Sequence, residues 1–233
     1  MKMKVFFFWL FLTVLLCVFW VMFGGPNNIT VGISILVCGI STIVFWIYRE
    51  LLRQQVKKWG MKPSRKFVLI GGLGALWVEF VFWFFEKIFG AVGIAAHPNL
   101  LIDYIATMPW YIMMVALLWK VQNKYHYSLK EMLILGGIYE LGADGFIGSL
   151  FKGQLLIGFA FGIIGIPLFV MVYSIIILPP AYLLRDETRM STFIRPGKTE
   201  DNYRKYSYAL LPLLGLAPYL LLFAVLRIFG KTL

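Results

Sequence analysis

Apolar residues in this chain come in runs of about twenty, separated by short stretches that hold most of the charge. A run of that length crosses a ~30 Å hydrocarbon layer as a helix rising ~1.5 Å per residue. The pattern predicts seven spans, at residues 5–23, 31–48, 67–90, 104–121, 131–151, 155–178 and 208–229. The expected fold is therefore all-α, a polytopic transmembrane helical bundle forming a single domain over residues 1–233. The first run follows a short basic start but lacks a small-residue cleavage pattern, so it reads as an uncleaved helix.

The linkers are expected to alternate between two faces. Gly24-Gly25-Pro26-Asn27-Asn28 reads as a tight outer turn, and Arg49 to Lys66 as a basic inner loop. An outer segment follows from Ala91 to Asp103, an inner one from Gln122 to Lys130, and an outer turn at Lys152-Gly153-Gln154. Pro179-Pro180 is expected to end the sixth span, because proline lacks an N–H and its ring clashes with the preceding turn. A polar inner loop, Ala181 to Ser207, then leads to the last span, which contains Pro212 and Pro218. Gly158 and Gly162 in the sixth span have the small-residue spacing that lets helices approach closely.

Composition agrees with the pattern: 61% of residues are hydrophobic and 18% aromatic, far from the usual soluble balance. The net charge of +11 adds an orientation. Of the 22 lysines and arginines, 18 fall in alternate loops that would lie inside, and only Lys87, Lys152, Arg227 and Lys231 fall outside. Such asymmetry marks the cytoplasmic face. It places the N-terminus inside and the C-terminus outside, in the cell membrane, and it argues for the lipid bilayer rather than nucleic acid as the partner of the charge. Cys17 and Cys38 lie within spans, where thiols pack as small apolar groups.

Acids inside the spans change the picture from a bundle to a bundle with a site. Glu79 and Glu86 interrupt Phe67–Gly90, and Glu140 and Asp144 interrupt Glu131–Phe151. Charged groups are costly in hydrocarbon and normally face a protein interior or a wet cavity, which makes them functional candidates. Spacings of seven and four residues put each pair on one helix face. Trp83, Tyr139, Trp110 and Tyr111 lie close in sequence to these acids or to Pro109, and His97 and Asp103 precede the fourth span. Asp103 also reads as an N-cap for that span.

An internal repeat is expected over units 65–121 and 130–178. An offset of 65 aligns Gly71-Gly72 with Gly136-Gly137 and Glu79 with Asp144; an offset of 58 aligns Pro109 with Pro167. Sites often form between such repeats. The four acids then converge on a shared site, centred on Glu79 and Asp144.

Carboxylates sharing a low-dielectric site do not all ionise, which leaves an acid beside a base. That chemistry fits an intramembrane enzyme protonating or deprotonating a lipid-soluble substrate, with aromatic faces stabilising a cation. It also fits a transporter or channel for protons or cations. Oxygen-only ligation by the acids suits a divalent cation such as Mg2+ or Ca2+, though no spacing demands one. A structural subunit whose acids pair with Lys87 or Lys152 is a further reading.

Two resemblances bear on the choice. An acid-bearing helix, an outer loop and a helix opening with proline and aromatics, in tandem, resembles the integral-membrane lycopene cyclases and carotenoid hydratases. The matching elements are Glu79 with Met108-Pro109-Trp110-Tyr111 and Asp144 with Ile166-Pro167-Leu168-Phe169, within spans three to six. This resemblance implies an isoprenoid or carotenoid-like substrate; the paired glutamates that follow the cyclase proline are missing after Pro109 and Pro167. Leu141 to Phe146, around Asp144, resembles the Gly-x-Gly-Asp element of presenilin-like and prepilin peptidases, with Ala143 in place of the second glycine. That likeness implies an aspartyl intramembrane protease.

Overall fold

Prolines and glycines set the helix ends, and charged residues extend the helices beyond the apolar runs. The computed structural model of the chain describes residues 3–142, 155–187 and 202–217. These form α1 (Met3–Phe23), α2 (Pro26–Lys57), α3 (Pro63–Phe89), α4 (Leu100–Tyr125), α5 (Leu129–Glu140), α6 (Leu155–Leu183), α7 (Asn202–Ala209) and a 3-10 turn, Leu211–Gly215. No strand occurs among the described residues. Among the described residues five helices are long and apolar enough to cross a membrane: α1, α2, α3, α4 and the 165–183 part of α6.

The expected fifth span is described only as far as Gly142, mostly within α5, and its residues 143–151 lie outside the described residues. The expected seventh span begins differently. α7 ends at Ala209, and Pro212 opens a 3-10 turn in place of a continuing helix. Residues beyond 217 lie outside the described set, as does the Lys152 turn. Gly158 and Gly162 lie in α6, but what their faces touch is also outside it.

The inner loop expected at Arg49–Lys66 is mostly helix. α2 runs to Lys57 because Arg, Glu, Leu, Gln and Lys are good helix formers even where hydropathy falls. At the other end Pro26 occupies the first turn, so the α1–α2 connection is only Gly24-Gly25. α4 likewise starts earlier than expected. Its N-cap is Asn99, whose side chain accepts from the Leu101 and Ile102 N–H groups, and Asp103 sits within the first turn instead. α5 begins with a capping box between Ser128 and Glu131.

α6 occupies the centre of the bundle, packed against α2, α3 and α5. It is apolar all round, as a helix surrounded by others should be. Contrary to expectation it continues through Pro179-Pro180 to Leu183. The two prolines leave the carbonyls of Ile175 and Ile176 without the usual N–H donor four residues on. These carbonyls turn toward a glycine face of α3. A Cβ at Gly74 would stand 2.5 Å from the Ile175 oxygen, and one at Gly71 would stand 3.4 Å from the Ile176 oxygen. On the opposite side Gly137 of α5 lies equally close, its Cβ position 2.6 Å from the Ile166 oxygen. Bare helix surfaces allow such approaches in membranes, where packing has to supply what the hydrophobic effect does not.

α1 packs mainly on α2 and leaves Phe7, Phe8, Phe11, Phe19 and Phe23 exposed, as a lipid-facing outer helix would. Where α2 ends and α3 begins, charged side chains tie the tail of α6 to both helices. Arg53 and Lys57 pair with Asp186, Tyr182 donates to Glu50 at 2.6 Å, and Lys66 lies 3.8 Å from Glu187. A second cluster, at the connection between α4 and α5, holds α7: Lys205 donates to Glu131 at 2.8 Å, and the Tyr127 hydroxyl donates to the Lys205 carbonyl.

Candidate functional site

Inside the bundle, two carboxyls meet two tyrosines. Glu79 projects from the middle of α3 and accepts a hydrogen bond from the Tyr111 hydroxyl of α4 at 2.6 Å. Glu140, at the end of α5, accepts from the Tyr173 hydroxyl of α6. The two tyrosine rings touch, with centroids 5.9 Å apart and planes at 46°. All four side chains are buried, Glu79 and Glu140 each at 8% exposure and Tyr173 at 1%. The result is one continuous buried cluster running from Glu79 through Tyr111 and Tyr173 to Glu140.

The local sequence explains why these groups meet. Glu79 lies on the same side of α3 as Gly71 and Ala75, which bring α4 and α6 close. Tyr111 sits two residues beyond Pro109, within α4, and Tyr173 sits six beyond Pro167, within α6. Gly136 and Gly137 draw α6 against α5 one turn before Glu140. A hydrogen bond contributes about 0.5–1.5 kcal/mol net, and leaving a buried partner unsatisfied costs about 1–3 kcal/mol, so these pairings restrain the side chains that make them.

Of the residues expected at the site, Glu79, Glu140 and Tyr111 are brought together. Asp144, the expected counterpart of Glu79, lies outside the described residues, and so does the 143–146 part of the peptidase-like element. Tyr139 is fully buried but turns away, because neighbouring helix positions are ~100° apart; its hydroxyl donates to the Ala209 carbonyl at 2.7 Å. Trp110 turns toward the 3-10 turn and packs on Gly215.

The remaining expected residues gather around the loop between α3 and α4. Glu86 accepts from the backbone N–H groups of Ile94 and Ala95, at 2.8 and 2.6 Å. Trp83 donates to the Pro98 carbonyl at 2.9 Å. Asp103 accepts from the His97 backbone N–H at 3.0 Å, while the His97 ring nitrogen Nδ1 accepts from the Asn99 N–H at 2.9 Å. These four side chains shape the loop. Asp103 precedes Tyr111 by eight residues, ~12 Å along α4, which separates this loop cluster from the buried one.

Tyr173 was not among the residues singled out by sequence. The offset of 58 that aligns the two prolines places Phe169 opposite Tyr111, whereas Tyr173 is one helical turn further on. A search allowing one-turn shifts would have paired Glu79 and Tyr111 with Glu140 and Tyr173, at offsets of 61 and 62.

The arrangement holds two buried acids, each accepting a hydrogen bond from a tyrosine hydroxyl, with the two tyrosine rings in contact. Among the described residues no group of three or more His, Cys, Asp or Glu side chains is placed to hold a metal ion. No family model, curated protein or solved structure matches the chain.

Proposed function

We propose that the buried cluster is an intramembrane acid–base site acting on a lipid-soluble, isoprenoid-like substrate. The observation that supports this reading most is the pairing of Glu79 with Tyr111 and of Glu140 with Tyr173 through touching rings. In this scheme the Glu79 carboxyl donates a proton to an alkene carbon of the substrate. The cation that forms lies against tyrosine faces, which stabilise positive charge. The Glu140 carboxylate then removes a proton from a neighbouring carbon, giving a shifted double bond or a closed ring with no change in oxidation state. The proton returns from Glu140 to Glu79 through the two hydroxyls, readying the site for another turnover.

The resemblance to membrane lycopene cyclases and carotenoid hydratases points to the same substrate class, with Glu140 in the role first expected of Asp144. The test is to express the protein in cells supplied with an isoprenoid pathway and to compare lipid extracts. The wild type should give a new or shifted isoprenoid species, and Glu79→Gln and Glu140→Gln should each abolish it. An extract that the wild-type protein leaves unchanged would overturn the proposal.

The same cluster supports a second reading, proton-coupled transport, because it holds two buried acids, each bonded to a tyrosine hydroxyl. Proteoliposomes distinguish the two: acid-driven uptake lost in Glu79→Gln, with no altered lipid, would favour transport.

A further inference from the structure

A groove of about 510 Å3 opens on the side of the bundle between α3 and α4. Its floor is Val68, Gly72 and Leu76 on α3, its other wall is Met108 and Ile112 on α4, and Arg65 stands at one end. The α3 positions recur every three or four residues, so they form one stripe along the helix. Gly72 makes the dip, since nothing lies within 4 Å of where its Cβ would be. Apart from its Arg65 end the lining is almost wholly apolar, and the groove faces outward, where the hydrocarbon of a membrane would lie.

We infer that this groove seats one acyl chain of an anionic phospholipid, with its headgroup phosphate on Arg65. Length and charge together identify the occupant. From Arg65 to Leu76 the helix rises ~17 Å, close to half of a ~30 Å hydrocarbon core, so the groove matches one leaflet. Arg65 is exposed, no acid pairs with it among the described residues, and it stands at the basic end of α3 where a headgroup would sit. A guanidinium is well suited to a phosphate because its N–H donors match two oxygens at once.

The groove ends at Leu76, one helical turn short of Glu79, and Ile112 is next to Tyr111. A seated chain therefore points toward the acid pair. That last step rests on the proposed function; lipid binding itself does not.

The experiment is native mass spectrometry of the full chain, purified in mild detergent and supplied with phosphatidylglycerol or phosphatidylcholine of identical chains. The wild type should retain one phosphatidylglycerol in preference to phosphatidylcholine. Arg65→Gln should cut that preference on the order of fivefold, the effect of one basic residue on an anionic lipid. Gly72→Phe, which fills the dip, should lower retention of both lipids. If Gly72→Phe does not purify as a monodisperse species, Ile112→Trp narrows the same groove from a position that is half exposed and should do likewise.

Equal retention of both lipids, or retention that neither groove variant changes, means only annular lipid and overturns the inference. So does a dimer whose population falls in Gly72→Phe, which would place a second copy of this chain on the groove. Lipid retained as expected by a protein with no effect on cellular isoprenoids would keep this site and remove the proposed chemistry.

Discussion

Replacing Gly74 with alanine tests whether the backbone of α6 is held against the glycine face of α3. The new Cβ would stand 2.5 Å from the Ile175 carbonyl oxygen and 2.8 Å from the Ile176 Cα. A relaxed carbon–oxygen contact needs about 3.3 Å, so the helices must part by roughly 0.8 Å. Neither obstacle is the end of a flexible side chain; both belong to the backbone of a helix enclosed by α2, α3 and α5. Overpacking of this kind costs about 1–3 kcal/mol. Gly72→Ala is the matched control, two positions away on the same helix with open space at its Cβ. It gains up to about 1 kcal/mol of helix propensity with no clash. Equilibrium unfolding in mixed detergent micelles, followed by tryptophan fluorescence, should therefore order the proteins Gly72→Ala, wild type, Gly74→Ala from most to least stable. Gly74→Ala as stable as wild type, or Gly72→Ala losing as much as Gly74→Ala, would refute the reasoning.

Two further outcomes concern the α3–α4 loop and the tail of α6. Glu86→Ala leaves the Ile94 and Ala95 N–H groups without their acceptor, at about 1–3 kcal/mol for a buried unsatisfied group; limited proteolysis should cut residues 91–99 faster than in wild type, and an unchanged rate would count against this role. At the tail of α6 the Arg53 hydrogen bond holds the Asp186 carboxyl below the usual carboxylate range, with slight burial opposing it. A depressed value in the folded state stabilises above the unfolded value of about 3.9, and that contribution disappears as pH falls through the folded value. The stability difference between wild type and Asp186→Asn should thus stay constant from pH 7 to 5, as about 3.9 lies below that window, and close in stronger acid. Asp186 is half exposed, so the difference is small. A difference that widens on acidification would contradict the sign.

Much of this architecture could be read from residues one at a time. Hydropathy located α1 to α4 and α6, since crossing a membrane demands a long apolar helix whatever surrounds it. The acids at 79 and 140 were visible for the same reason: a charge in an apolar run is anomalous without any knowledge of its neighbours. Helix ends were less legible. α2 continues nine residues past Tyr48 because helix propensity outlasts hydropathy there, and α6 continues past Pro179-Pro180 because α3 offers the freed carbonyls a surface with no Cβ.

The identity of each acid's partner belonged to another level. Glu86 resembles Glu79 in sequence, yet it caps a loop backbone while Glu79 meets a tyrosine. Tyr139 and Glu140 are adjacent, yet they face different helices. Read alone, the sequence located the long apolar helices α1 to α4 and α6 and the unusual acids within them, because transfer between water and lipid depends on each segment alone. Which tyrosine meets which carboxyl was decided only by tertiary structure. In a bilayer, apolar faces are equivalent toward lipid and toward one another, so close contact at glycines, not hydropathy, sets how the helices are turned.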